Sequence, residues 1–230
     1  MKLLGVIGGM SWTSTAEYYR LLNSEVARQR GGLTSARLLL HSVDFAEIAA
    51  LQTSGEWDEA GEILADITRG LERAGAEGLL LATNTMHKVA PHIEAATRLP
   101  LLHIADATGE AIQGAGLKKV GLIATAFTME QDFYTGRLSE KYGLDVIVPG
   151  PADRAEVHRV IFDELCRNAV TEQSRVIYRR VMADLVSRGA QAIILGCTEI
   201  SLLVGAADVA VPVFDTTAIH VQEAVRFMLE

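Results

Sequence analysis

The chain has 230 residues, 49 % of them apolar and 22 % charged, with a formal net charge of −8. That length accommodates two small domains or one large one with a real core, and the acidic balance argues against nucleic acid or an anionic membrane as partner. No apolar run reaches the roughly 18 residues that a membrane span needs, and two cysteines, Cys166 and Cys197, make no disulfide framework.

In chain order, Met1–Met10 looks superficially like a signal peptide. Its apolar run is short, no small-residue cleavage site follows, and it passes into a segment carrying Glu17 and Arg20. The expectation is a cytoplasmic protein. Leu3–Ile7 reads as a buried strand closed by Gly8-Gly9, followed by a helix capped at Ser11 or Thr13 and ended by Gly31-Gly32. Arg37–Val43 is a second strand, ending at Asp44. After a short helix, Trp57–Ala74 shows Ile63, Leu64, Ile67 and Leu71 at helical spacing. Gly78–Ala82 is a strand that delivers Thr83, and Lys88–Thr97 is helical, with Pro91 tolerated near its start. Leu99–Leu102 opens another short strand, a helix is expected over Asp153–Asn168, and a strand ending at Gly196 delivers Cys197.

Two stretches copy one pattern. Leu71–Met86 reads LERAGAEGLLLATNTM and Leu185–Ile200 reads LVSRGAQAIILGCTEI. Each has a helix end closed by Gly-Ala, an apolar run, and a nucleophilic side chain followed by polar ones: Thr83-Asn84-Thr85 and Cys197-Thr198-Glu199. Lys2–Ile7 matches Lys118–Ile123, and Leu99–Leu102 matches Val211–Phe214, at nearly the same spacing and in the same order. Three matches in register point to an internal duplication. The fold expected is α/β, with two pseudo-symmetric domains, each a small parallel sheet flanked by helices. Their bounds are expected at 1–98 plus 208–230 and at 99–207, with the active site in the interdomain cleft.

Gly5, Gly8 and Gly9 lack the GxGxxG spacing, and no Walker sequence occurs. The plainer reading is favoured: these glycines let strand and helix approach closely. His87 and His92 lie five apart, wrong for one helix face, so no metal site is expected. His87, four residues after Thr83, is read either as orienting the site or as a capping or buried structural histidine. Cys166 reads as core packing. Cys197 stands at a strand end ahead of an expected helix N-terminus, where backbone N–H groups would lower its pKa.

Gly5–Ser11, Val43-Asp44-Phe45, Thr83-Asn84-Thr85-Met86-His87 and Gly196-Cys197-Thr198-Glu199 together resemble the aspartate/glutamate racemase superfamily, across essentially the whole chain. The resemblance implies two pseudo-symmetric α/β domains and racemisation without pyridoxal phosphate, metal or other cofactor. It also implies a small amino-acid substrate, two catalytic thiols on opposite faces of its Cα, and a homodimer. Cys197 matches one thiol, and by the family's handedness it would take the proton from the L-substrate. The other position here is Thr83, a weaker acid that needs help to act as a base. This Thr/Cys pair is similar to that of the bacterial L-aspartate/glutamate-specific racemases. Met10, Gln52, Asn84, Thr85, Thr125, Thr128, Thr198 and Glu199 are the binding candidates, Glu199 as a clamp on the ammonium group. The arginine and lysine that hold the distal carboxylate in aspartate racemases have no counterpart here, where the first region offers Gln52. Maleate isomerases, hydantoin racemases and arylmalonate decarboxylases share the scaffold, and an amino-acid-binding protein without turnover is the non-enzymatic alternative.

Overall fold

A computed structural model describes all residues, Met1–Glu230. The chain divides into two compact units, Met1–His103 with His220–Glu230, and Ile104–Ile219. The first runs β1 (Leu4–Gly8), α1 (Trp12–Arg30), β2 (Leu38–Ser42), α2 (Phe45–Ser54), α3 (Trp57–Arg73), β3 (Gly78–Leu81), a 3₁₀ segment over Thr85–Val89, α4 (Ala90–Ala96) and β4 (Leu101–Leu102). Its four strands are all parallel, in the order β2-β1-β3-β4.

The second unit runs α5 (Ile104–Gly114), β5 (Lys119–Ala124), α6 (Ala126–Glu130), α7 (Asp132–Tyr142), β6 (Asp145–Ile147), α8 (Pro151–Asp163), α9 (Glu172–Ser187), β7 (Ala192–Gly196), β8 (Val213–Asp215) and α10 (Thr216–Leu229), whose last part belongs to the first unit. Its strands are again parallel, in the order β6-β5-β7-β8. The three sequence matches fall on β1/β5, on the helix-to-strand passages into β3/β7, and on β4/β8. At the repeated Gly-Ala, Gly75 and Gly189 both have φ +95°, a conformation that glycine takes without a Cβ penalty.

Both faces of each sheet are covered, as parallel strands with continuous apolar runs require. Strand alternation turns Leu4, Val6, Leu80 and Ala82 toward Tyr18, Leu22 and Val26 of α1 and Val221, Val225 and Met228 of α10. Ile7, Leu79 and Leu81 meet Leu64, Ile67 and Leu71 of α3 on the other face. The core of the second unit gathers β5, β7, α5, α8 and α9.

The expected domain bounds shift. β4 pairs Leu101 with Leu79, so it completes the first sheet, and β8 pairs Val213 with Ile193, so it completes the second rather than returning to the first. The helices behave otherwise: α5, which follows β4, packs in the second unit, and α10, which follows β8, reaches the first. The helix expected over Asp153–Asn168 ends at Asp163, and a 3₁₀ turn over Leu165–Arg167 follows. No helix is long and apolar enough to cross a membrane.

Candidate functional site

In each unit the second strand lies on one side of the first and the third on the other. Winding therefore reverses between the first and third strands, and their carboxyl ends are where open α/β sheets hold ligands. In the first unit these two ends carry Met10 and Thr83-Asn84-Thr85. In the second they carry Thr125, with Thr128 just beyond, and Cys197-Thr198-Glu199. Gln52 arrives from α2: it is buried, and its Nε2 donates to Met86 Sδ at 3.1 Å.

Gly9 turns the chain out of β1. Its N–H donates to Thr15 Oγ1 at 2.7 Å, and that hydroxyl donates to the Ser11 carbonyl at 3.0 Å. The turn thus spends a donor on its own helix, which suits the packing reading of the glycines rather than a phosphate cradle. Thr83, Asn84 and Thr85 are all buried. The Thr83 N–H donates to the Leu81 carbonyl at 2.9 Å, and its carbonyl accepts from His87 Nδ1 at 2.7 Å. Thr125 caps α6, accepting at Oγ1 from the Thr128 N–H, and the two hydroxyls lie 3.1 Å apart.

In the second unit Cys197 is partly buried. Its Sγ donates to Glu199 Oε2 at 3.1 Å, and Thr198 Oγ1 donates to the same oxygen at 2.5 Å. Glu199 therefore spends this oxygen on Cys197 and Thr198. Cys166 packs against the apolar core and directs its Sγ at Glu199 Oε1, 3.9 Å away.

The expected lowering of the Cys197 pKa is reversed. Burial, then the charge of Glu199, push the thiol well above its ordinary value. No α-helix begins at Thr198: a 3₁₀ turn over Ile200–Leu202 follows, too short for a dipole to oppose burial and the Glu199 charge. Burial, then Glu199, likewise push Cys166 up to about 12.

Sequence reading overlooked three supports. His158 of α8 accepts from the Ala126 N–H at 3.1 Å, Ser201 Oγ donates to the Thr198 carbonyl at 3.0 Å, and Tyr18, His103 and His220 gather beside His87. The position of Ser201 in the repeat, matching His87, was a signal for one of them. His158 belongs to no motif.

The family model of the Asp/Glu/hydantoin racemases matches residues 7–224. The chain belongs to that family. The membership places it among the isomerases, with amino-acid racemases as its kin. Over the whole of both chains it is 55 % identical to a candidate Asp/Glu racemase from Yersinia pestis, with a TM-score of 0.94. It is 35 % identical to an aspartate racemase homologue from Pyrococcus horikoshii OT3, again over the whole of both, with a TM-score of 0.85. A glutamate racemase from Francisella tularensis subsp. tularensis, solved with D-glutamate, shares the fold at 15 % identity and a TM-score of 0.65, over 99 % of this chain and 81 % of that one. An uncharacterized protein of Pectobacterium carotovorum subsp. carotovorum is 31 % identical over 106 residues, 46 % of this chain and 69 % of that protein.

Proposed function

We propose that this family member is a cofactor-independent racemase of L-aspartate and L-glutamate, with Cys197 the base on the L-face and Thr83 the acid on the other. The observation that carries the reading is the Cys197 thiol at the end of β7, 3.1 Å from Glu199 Oε2, with Thr83 at the equivalent end of β3. The thiol rests protonated, so it must lose its proton before it can act, and Glu199 is the acceptor in reach. A substrate ammonium group beside Cys197 and Glu199 favours the thiolate, opposing the burial that holds the proton on.

The thiolate then takes the Cα proton: the C–H bond breaks, S–H forms, and the electron pair moves into the substrate carboxylate as an enediolate. Asn84, Thr85, Thr125, Thr128 and Thr198 are the donors that would stabilise that charge, with Met10 and Gln52 bounding the side chain. The Thr83 hydroxyl protonates the other face and recovers its proton from water, while Glu199 returns the thiol's original proton to the solvent. A hydroxyl is a competent acid toward a carbanion and a poor base toward a C–H bond, so D-substrates turn over slowly. Enantiomers have equal energy, so catalytic efficiency is equal in both directions, and L-preference expresses unequal saturation. A cytoplasmic homodimer belongs to the same reading.

The test is proton NMR of L- and D-aspartate and L- and D-glutamate in D₂O. The expected result is loss of the Cα–H signal from the L-forms, abolished in Cys197→Ala. The raised thiol pKa also favours a second reading, a binding protein without turnover. Binding of all four without exchange would establish it.

A further inference from the structure

The first unit contains a cluster of imidazoles that the chemistry above does not use. His87, His103 and His220 are all buried. The His87 ring lies against that of His103, with centroids 4.4 Å apart, and edge-on to that of His220 at 6.1 Å. His220 is held at both nitrogens: Nε2 donates to the Leu102 carbonyl at 2.6 Å, and Nδ1 accepts from Tyr18 OH at 2.9 Å. Burial lowers its pKa to about 4, so near neutral pH it is an uncharged, doubly anchored wall.

Against that wall His87 directs its Nδ1 at the Thr83 carbonyl, 2.7 Å away. A carbonyl only accepts, so the contact from Nδ1 to the Thr83 oxygen puts a proton on Nδ1. The duplicated turn shows what is special here. In the second copy the Cys197 carbonyl is taken by the Ile200 backbone N–H at 3.1 Å, a contact any residue supplies. In the first copy the carbonyl of the corresponding residue, Thr83, is held by the His87 side chain, whose ring lies against those of His103 and His220. Backbone N–H to Leu81 and carbonyl to His87 together hold the peptide planes on both sides of Thr83, and with them the direction of the Cα–Cβ bond from which its hydroxyl projects.

We propose that His87 is a positioning residue for Thr83: it aims the hydroxyl through the backbone carbonyl, and so governs inversion at Cα without governing proton removal by Cys197. The inference rests on the racemase reading. Misplacing a reacting group by about 1 Å costs up to roughly 100-fold, and here that loss falls on one face of the substrate.

The experiment follows L-aspartate and L-glutamate in D₂O, measuring two rates in one tube: loss of the Cα–H signal, and appearance of the D-isomer by chiral chromatography. His87→Ala is expected to slow appearance of the D-isomer about tenfold or more, with Cα–H exchange within about twofold of the parent. His87→Asn, which keeps an N–H donor near the Nδ1 position, is expected to restore most of the inversion. His87→Gln carries the donor one methylene further out and serves as the uncoupled variant if the alanine protein does not fold. Equal loss of both rates in the uncoupled variant, or no change in either, would overturn the proposal, as would an asparagine variant no better than it. Absence of exchange in the parent protein would instead remove the racemase reading, and this inference with it.

Discussion

The two cysteines meet one carboxylate yet differ in what they can do. Cys197 stands at the end of β7 with Glu199 Oε2 at 3.1 Å, whereas Cys166 lies in the turn after α8, 3.9 Å from the other oxygen, Glu199 Oε1; burial, then Glu199, push both thiols up. Cys166→Ala is therefore expected to leave Cα–H exchange intact where Cys197→Ala removes it, by the same NMR assay. Thr83→Cys replaces a poor base with a thiol, and faster handling of the D-forms is the expected outcome. His220 supplies a pH prediction. Its folded pKa of about 4 lies below the ordinary 6.5, so between those values the unfolded chain binds more protons. Its contribution is complete above about pH 6.5 and is lost as pH falls toward 4, on the order of 3 kcal/mol in all. Urea unfolding across that range is expected to show stability rising with pH, with a shallower slope in His220→Gln.

Among elements, the turn after β1 is the most constrained. Gly9 has φ +95°, and a Cβ there would stand 2.3 Å from the Val43 carbonyl oxygen and 2.4 Å from its nitrogen. Both are backbone atoms of the segment leaving β2, so neither yields cheaply. Gly9→Ala is expected to cost roughly 2 kcal/mol or more, from left-handed strain and the clash together, read as a lower urea midpoint at unchanged m-value. The turn after β7 offers the Cys197 thiol no helix dipole to set against burial and the charge of Glu199. A strand followed by polar residues reads as a helix start, yet the chain makes only the 3₁₀ turn over Ile200–Leu202 and a second over Ala206–Asp208 before β8. Periodicity reports an apolar stripe; it does not distinguish one turn of 3₁₀ helix from the first turn of an α-helix.

For the molecule as a whole, the homodimer reading predicts twice the chain mass of 24.8 kDa in light scattering after size exclusion; the chain mass alone would refute it. The duplication was legible without coordinates, because β1/β5, β3/β7 and β4/β8 keep matching apolar runs at matching spacing. So were Thr83 and Cys197, since a nucleophile after a buried run stands at the carboxyl end of a strand. Chain order says where strands occur, but sheet membership is decided by which edge offers a hydrogen-bonding partner. That is why β8 stayed with β7, whereas the end of α10 joined the first unit by apolar packing against β1 and β3. Hydrogen bonds between distant residues and the depth of burial were likewise invisible in one dimension. The bond from Tyr18 to His220 spans 202 positions, and the state of Cys197 depends on how much protein surrounds its sulfur. By itself the sequence determined the repeated α/β plan, the family, and the residues at the strand ends, because these are local patterns. Only the tertiary structure decided that the thiol rests protonated and that an imidazole holds Thr83, because electrostatics and directed hydrogen bonds depend on neighbours that chain order does not name.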